Sequence, residues 1–219
     1  MRLEAVIKIG GSLAKTSSLN DLCKFLEKLS KTHKYLIVPG GSEFSDVVEK
    51  FDKKFHLSNQ LSHKMAILAM DQYGLLLSNL MNGFLLDEIK VPEHYPKKPV
   101  IFLASNYMFT EDPLPNSWDV TSDSIAAHVA QKLKATMFIL VKDVDGIFSF
   151  DPKKKSDAEL IRKISATELL QLNKKTCVDK YLPQVLLERK IKCYVVNGKY
   201  PERINDIFKG KETICTEIF

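Results

Sequence analysis

An α/β fold, with a largely parallel sheet covered by helices on both faces, follows from three features of the sequence. Strand-like and amphipathic helical patterns alternate along the chain. The segment "TMFILVK" (136–142) is an unbroken apolar run, as expected of a strand buried on both sides. Two other strand-like runs end in Gly-Gly turns, and one of these leads directly into a helix. At 219 residues the chain can bury one sizeable core, and no Gly/Ser-rich or strongly charged linker divides it. One domain over residues 1–219 is expected.

In order, "LEAVIKI" reads as a buried strand. "LNDLCKFLEKLSK" reads as a helix, with Leu19, Leu22, Phe25, Leu26 and Leu29 on one face, and "KYLIVP" as a second strand. "SEFSDVVEKFDKKF" and "LSNQLSHKMAILAMDQYGLLLSNLM" are helical, and "GFLLDEI" and "PVIFLAS" are strand-like. A helix over 122–134 precedes "TMFILVK". The Ser-x-x-Glu pattern in "SATE" (165–168) opens another helix as a capping box. A helix from about Val178 to Lys190, the strand "KCYVVN", a short helix from Pro201 and the strand "TICTEIF" complete the pattern.

Composition narrows the function. Hydrophobic residues make up 45% and charged residues 27%, ordinary for a globular protein. No apolar run reaches the roughly 18 residues of a spanning helix, and "MRLEAVIKIGG" becomes strand-like without a signal-peptide core, so a cytoplasmic location is expected. The net charge of +5 comes mostly from scattered lysines, with Arg2, Arg162, Arg189 and Arg203 as the arginines, which argues against nucleic-acid binding. Cys23, Cys177, Cys193 and Cys215 form no C-x-x-C pair, so neither a zinc site nor a redox dithiol is indicated.

The chemistry gathers at the two glycine turns. "KIGGSL" places Lys8, Gly10, Gly11 and Ser12 at one strand end, and "VPGGSEF" places Gly40, Gly41 and Ser42 at another. Without a Cβ, each glycine pair can take positive φ and let backbone amides approach an anion closely, and a following helix adds its N-terminal dipole. Lys8 can stabilise charge on a phosphoryl group in flight. No P-loop, G-x-G-x-x-G or protein-kinase motif is present, so a different phosphate-handling architecture is required. A third polar concentration, "NSWDVTSDSIAAHVA" (116–130), crowds Trp118, Asp119, Thr121, Ser122, Asp123 and Ser124 around a helix start. Thr121 or Ser122 is the expected N-cap, yet capping explains only one hydroxyl and one acid.

Taken in order, "KIGGSL", "PGGS", "TSDSIAAHVA", "KDVDGIF" and "DPKKK" resemble the amino acid kinase family. The resemblance implies a three-layer α/β/α sandwich with a mostly parallel sheet of about eight strands, ATP as donor and Mg2+ carried by ATP rather than by protein ligands. It also implies a small-molecule phosphate acceptor and a homo-oligomer. "SNQLSHKMAI" (58–67), "NSW" with "TSDS" (116–124) and "VDKYLPQVLLERKIKCYVVNGKYPERINDIFKGK" (178–211) are similar to the branch that phosphorylates a furan-methyl phosphate in methanofuran biosynthesis. Within the family a uridylate-type nucleoside monophosphate kinase is the alternative, and a non-catalytic nucleotide binder is the alternative of another class.

By this resemblance Lys8 contacts the transferring phosphate and Asp123 orders the catalytic lysines. Gly10, Gly11 and Ser12 hold the donor phosphates. Lys142, Asp143, Asp145 and Gly146 lie beside the nucleotide, with Asp151 and Lys153 in a loop over it. Gly40, Gly41 and Ser42 hold the acceptor's phosphate end, Ser42 standing where many relatives carry a third glycine. The C-terminal part from about residue 121 would bind nucleotide and the N-terminal part the acceptor. A second catalytic lysine is expected from Lys142, Lys153 or Lys180. His63 and Lys64 are expected along the acceptor pocket, Trp118 against the acceptor's ring, and Thr121 and Ser122 as neutral donors to its phosphate. Asp119, Asp87 and Glu43 are the candidate carboxylates for an acceptor cation, and His128 is read as structural.

Overall fold

The computed structural model describes residues 3–172, 174–189 and 191–219. Its centre is one eight-stranded sheet in the order β3-β4-β2-β1-β5-β7-β8-β6. The strands are β1 (Ala5–Ile9), β2 (Tyr35–Pro39), β3 (Phe84–Leu86), β4 (Val100–Phe102), β5 (Met137–Lys142), β6 (Lys163–Ile164), β7 (Lys192–Asn197) and β8 (Thr216–Ile218). All neighbouring pairs are parallel except β7 and β8. The helices are α1 (Leu19–Leu29), α2 (Ser42–Phe55), α3 (Asn59–Leu80), α4 (Ser105–Glu111), α5 (Ser122–Lys132), α6 (Ala166–Gln171), α7 (Leu182–Glu188) and α8 (Glu202–Phe208).

Strand parity divides the core in two. Val6, Leu36, Val38, Phe138, Leu140 and Val195 face one apolar layer with residues of α4, α5, α6 and α7. Ala5, Ile7, Ile9, Ile37, Ile139, Val141 and Val196 face the other with α1 and α8. Because successive side chains point to opposite faces, Lys8 lies on the Val6 face and Lys142 on the Leu140 face, which is the α5 side. Register sets Ile9 beside Val141, so both lysines come from the carboxyl ends of adjacent parallel strands. Near-continuous burial of Ile125, Ala126, Ala127, Val129 and Ala130 seats α5 directly on this face.

Local signals in the sequence have direct counterparts. Ser165 Oγ accepts from the Glu168 amide at 3.1 Å, and Glu168 Oε2 accepts from the Ser165 amide at 2.8 Å, completing the capping box that opens α6. Differences arise where local pattern is weak. "GFLLDEI" contributes only the three residues of β3, and "SNYMFTE", not anticipated as helix, forms α4. The expected helix from Val178 begins instead at Leu182, because Pro183 has no N–H for an interior helical bond and is tolerated only in a first turn. The other expected end of that helix, Lys190, lies outside the described residues. Among the described residues no helix is long and apolar enough to cross a membrane.

Candidate active site

Three buried charges meet where β1, β5 and the start of α5 converge. Lys8 Nζ lies 2.8 Å from Asp123 Oδ1, and Lys142 Nζ lies 2.8 Å from Oδ1 and 2.6 Å from Oδ2. Relative exposures of 4%, 2% and 9% for Lys8, Asp123 and Lys142 mean that each charge depends on the others rather than on water. Burial pulls the Lys8 ammonium down to about 8, against the attraction of Asp123. Burial also opposes the charged form of Lys142, but Asp123 outweighs it and holds this lysine above its ordinary value. Asp123 is driven well below the usual carboxylate range: burial favours its protonated form, but the two ammoniums overcome that cost. Of the lysines expected to stand beside Lys8, Lys142 is the one brought there. Lys180 pairs with Asp119 at 3.0 Å on the surface, and Lys153 pairs with Asp143.

The glycine turns meet each other. Gly10 is extended, at φ −62°, and its amide donates to the Val141 carbonyl at 2.8 Å. The Gly40 amide donates to the Ile9 carbonyl at 2.8 Å. Neither pair takes positive φ; close backbone contact is what requires glycine, since a Cβ on Gly11 would lie 2.3 Å from the Ser42 amide nitrogen. Left-handed backbone falls instead on Ser42, at φ 52°, where a glycine would sit without strain.

Two adjoining cavities open over these turns. One, of about 310 Å³, is lined by Lys8, Gly10, Gly11, Ser12, Ser42 and Lys142 and is polar and cationic. The other, of about 100 Å³, is mainly apolar, with Ala66, Ile67, Met70, Trp118 and Ile125 in its walls beside His63. Gly41, Ser45, Thr121 and Ser122 line both. His63 is buried, and its Nε2 is one of two buried side-chain atoms without a hydrogen-bond partner among the described residues. Burial holds the imidazole below its ordinary pKa, in its neutral form. Trp118 Nε1 donates to Asp52 Oδ2 at 2.6 Å, which fixes the indole from α2.

Several residues singled out in the sequence line neither cavity. Lys64 lies over the Phe109 ring, 5.6 Å from its centroid, outside both linings, because the next position on α3 points away from His63. Ser12 Oγ donates to Asp143 Oδ1 at 3.0 Å, so Asp143 is one bond removed from the cationic cavity. Asp145 is held by Arg203 Nη1 at 2.6 Å and Asn197 Nδ2 at 3.1 Å. Gly146 packs so tightly that a Cβ would lie 2.4 Å from Thr216 Oγ1. Asp151 Oδ1 accepts from the Lys153 amide at 3.0 Å in an exposed turn. Asp87, Asp119 and Glu43 line neither cavity, and Asp119 is already paired with Lys180. His128 Nε2 bonds the Tyr107 hydroxyl at 2.9 Å, away from both cavities.

The hydroxyls were only partly anticipated. Thr121 is the N-cap of α5, but its Oγ1 donates to Asp179 Oδ2 at 2.8 Å and Ser124 Oγ donates to Asp179 Oδ1 at 2.5 Å. A carboxylate thus takes Thr121, one of the two hydroxyls expected for an acceptor phosphate, and Ser122, the other, lines both cavities without a bond to Asp179. Asp179 is absent from the sequence-based site. Its signal is an acid three residues before a helix start, and its Oδ1 does accept from the Leu182 amide at 2.8 Å.

The model of the Amino acid kinase family matches residues 4–197. The chain belongs to this family. This amino acid kinase is 38% identical over 220 residues to the [5-(aminomethyl)furan-3-yl]methyl phosphate kinase of Methanocaldococcus jannaschii, covering 97% of this chain and 96% of that protein. It is 26% identical to a uridylate kinase of Pyrococcus abyssi, covering 95% and 96%. Among solved structures, UMP kinase from Ureaplasma parvum matches with a TM-score of 0.74 at 24% identity, over 100% of this chain and 99% of that one. Isopentenyl phosphate kinase from T. acidophilum matches with a TM-score of 0.62 at 22% identity, over 99% and 100%. These two likenesses establish that the kinase has the three-layer fold of its neighbours.

Proposed function

We propose that this amino acid kinase transfers the γ-phosphate of ATP to the phosphate of a small phosphomonoester. The acceptor is the [5-(aminomethyl)furan-3-yl]methyl phosphate named for its Methanocaldococcus jannaschii relative, and the product is the diphosphate used in methanofuran biosynthesis. The observation that carries this reading is the pair of lysines, from adjacent strand ends, held on one buried carboxylate at the wall of a cationic cavity. An acceptor phosphate oxygen forms the new O–P bond as the bond between the γ-phosphorus and the bridging oxygen breaks and ADP leaves. That oxygen is already anionic at neutral pH, so no general base is required. The obstacle is repulsion between two anions brought in line, and ammonium groups fixed at the cavity wall answer it.

In this reading Lys8 and Lys142 face the transferring phosphoryl group, with Gly10, Gly11 and Ser12 against the donor phosphates. Gly41, Ser42 and Ser122 border the acceptor phosphate, and the apolar cavity takes its ring against Trp118. Neutral His63 offers its buried Nε2 to the acceptor. Among the described residues no three His, Cys, Asp or Glu side chains gather to hold a metal, and Asp123 and Asp179 are engaged by protein donors. Magnesium fits as the counterion of the nucleotide, where it neutralises phosphate charge. The part before about residue 121 would mainly serve the acceptor and the part after it mainly the nucleotide, apart from Gly10, Gly11 and Ser12 on the donor phosphates and Ser122 on the acceptor, in a cytoplasmic enzyme.

Turnover of ATP is expected to depend on the acceptor, with a higher kcat/KM for the furan-methyl phosphate than for UMP. Preference for UMP would overturn the acceptor and keep the kinase; turnover with neither would overturn the reading. The enzyme is also proposed to be a homo-oligomer, supported by exposed Phe44, Val47, Phe51 and Phe55 along α2 and Leu61, Leu68 and Leu75 along α3. Light scattering is expected to give a multiple of 24.9 kDa, and a monomer mass at working concentration would contradict it.

A further inference from the structure

We propose that Asp179 is a positioning residue for phosphoryl transfer, which holds the Asp123 carboxylate in place and supplies the second negative charge of the lysine cluster. Its carboxylate gathers the first turn of α5: Oδ2 accepts from the Thr121 amide at 2.9 Å, Thr121 Oγ1 at 2.8 Å and the Ser124 amide at 3.0 Å. Oδ1 accepts from Ser124 Oγ at 2.5 Å and from the Leu182 amide at 2.8 Å, which ties the start of α7 to the start of α5. Asp123 lies between these anchored residues. Moreover, the backbone amide of Asp179 donates directly to Asp123 Oδ2 at 3.2 Å. Asp123 Oδ2 is therefore fixed from two sides, by Lys142 and by the segment that Asp179 pins down.

The charges support the same role. Lys8 and Lys142 carry two positive charges, and Asp123 supplies only one negative charge. With Asp179 ionised the cluster is neutral before any nucleotide arrives, which matters because an uncompensated buried charge is strongly unfavourable. Asp179 acts electrostatically on both lysines and raises the pKa of each. The titratable groups facing Lys8 are Asp123, Lys142 and Asp179, and Cys177 also acts on Lys142. Burial, together with repulsion from Asp123, holds the Asp179 carboxyl above its ordinary value, and the bonds from Ser124 and Thr121 offset part of this by favouring its ionised form. A helix-capping role alone would account for the Leu182 contact but not for the charge felt at Lys8.

This inference rests on the phosphotransferase reading above, and its test separates the two. Wild type, Asp179→Asn and Asp179→Glu are compared for kcat, KM and the pH dependence of kcat/KM with ATP and the furan-methyl phosphate. Asp179→Asn is expected to lower kcat by on the order of tenfold or more. It is also expected to move the alkaline limb of kcat/KM to lower pH, because Lys8 loses a stabilising negative charge. Asp179→Glu keeps the charge but displaces it, so the alkaline limb stays near its wild-type position while kcat falls. A wild-type kcat and alkaline limb in Asp179→Asn, even with a lower Tm, would overturn the proposal. If Asp179→Asn does not fold, Asp179→Glu with wild-type kcat overturns it alone. Loss of the phosphotransferase reading would show separately, as absence of acceptor-dependent turnover in the wild type.

Discussion

Lys8→Ala is expected to lower kcat at least about a hundredfold while leaving the chain folded. The magnitude follows from the removal of a preorganised, buried charge, whose effect on developing phosphoryl charge is larger than that of an exposed one. Folding is expected to survive because Lys142 stays on Asp123 through both carboxylate oxygens. The wild-type pH profile is a linked expectation. Burial puts Lys8 at about 8 in the free enzyme, so kcat/KM should decline above that pH as the ammonium is lost. Steady-state kinetics and circular dichroism check both points, and a variant with more than a tenth of wild-type kcat would remove Lys8 from the mechanism.

Asp123→Asn is expected to be the most damaging single substitution to stability as well as to activity. It leaves two buried ammoniums without their shared partner, a loss of roughly 3–5 kcal/mol for a broken buried pair. For a chain of this size that lowers Tm by on the order of 10 °C. A residue acting only as an acid in a helical first turn would cost about 0.3–1 kcal/mol, so calorimetry separates the two roles. The sign of the pH effect follows from the depressed carboxyl. Stability from Asp123 is fully present above the ordinary carboxylate pKa and is lost as pH falls below it toward the lower folded value. Asp123→Asn should therefore flatten the acid side of the stability profile. An unchanged Tm and kcat would mean that Asp123 is a surface-type helix acid after all.

Much of this arrangement is legible in the sequence because it is written locally. The unbroken run of β5, the "KIGGSL" and "VPGGSEF" strand ends and the hydroxyl-rich opening of α5 each declare an element and a terminus within a few residues. Their order also carries the family resemblance. What the sequence conceals is set by contacts between distant segments. The pairing of Lys142 with Lys8 depends on the register of β1 against β5, which no local pattern contains. Asp179 sits in an irregular stretch ahead of Pro183, and its importance appears only when α7 is packed against α5. The glycines are readable as necessary, but not the contact that Gly11 and Gly40 allow, in which two turns touch backbone to backbone. Likewise, crowded hydroxyls did not disclose that Thr121 and Ser124 are committed to a carboxylate.

The central claim is that a phosphate oxygen, not an alcohol, amine or water, receives the γ-phosphoryl group between Lys8 and Lys142. Phosphorus NMR of the enzyme with ATP, magnesium and the furan-methyl phosphate tests this directly. The account predicts that the acceptor's singlet is replaced by two coupled doublets of a diphosphate monoester, in step with ADP. ADP and orthophosphate appearing while the acceptor singlet persists would contradict it.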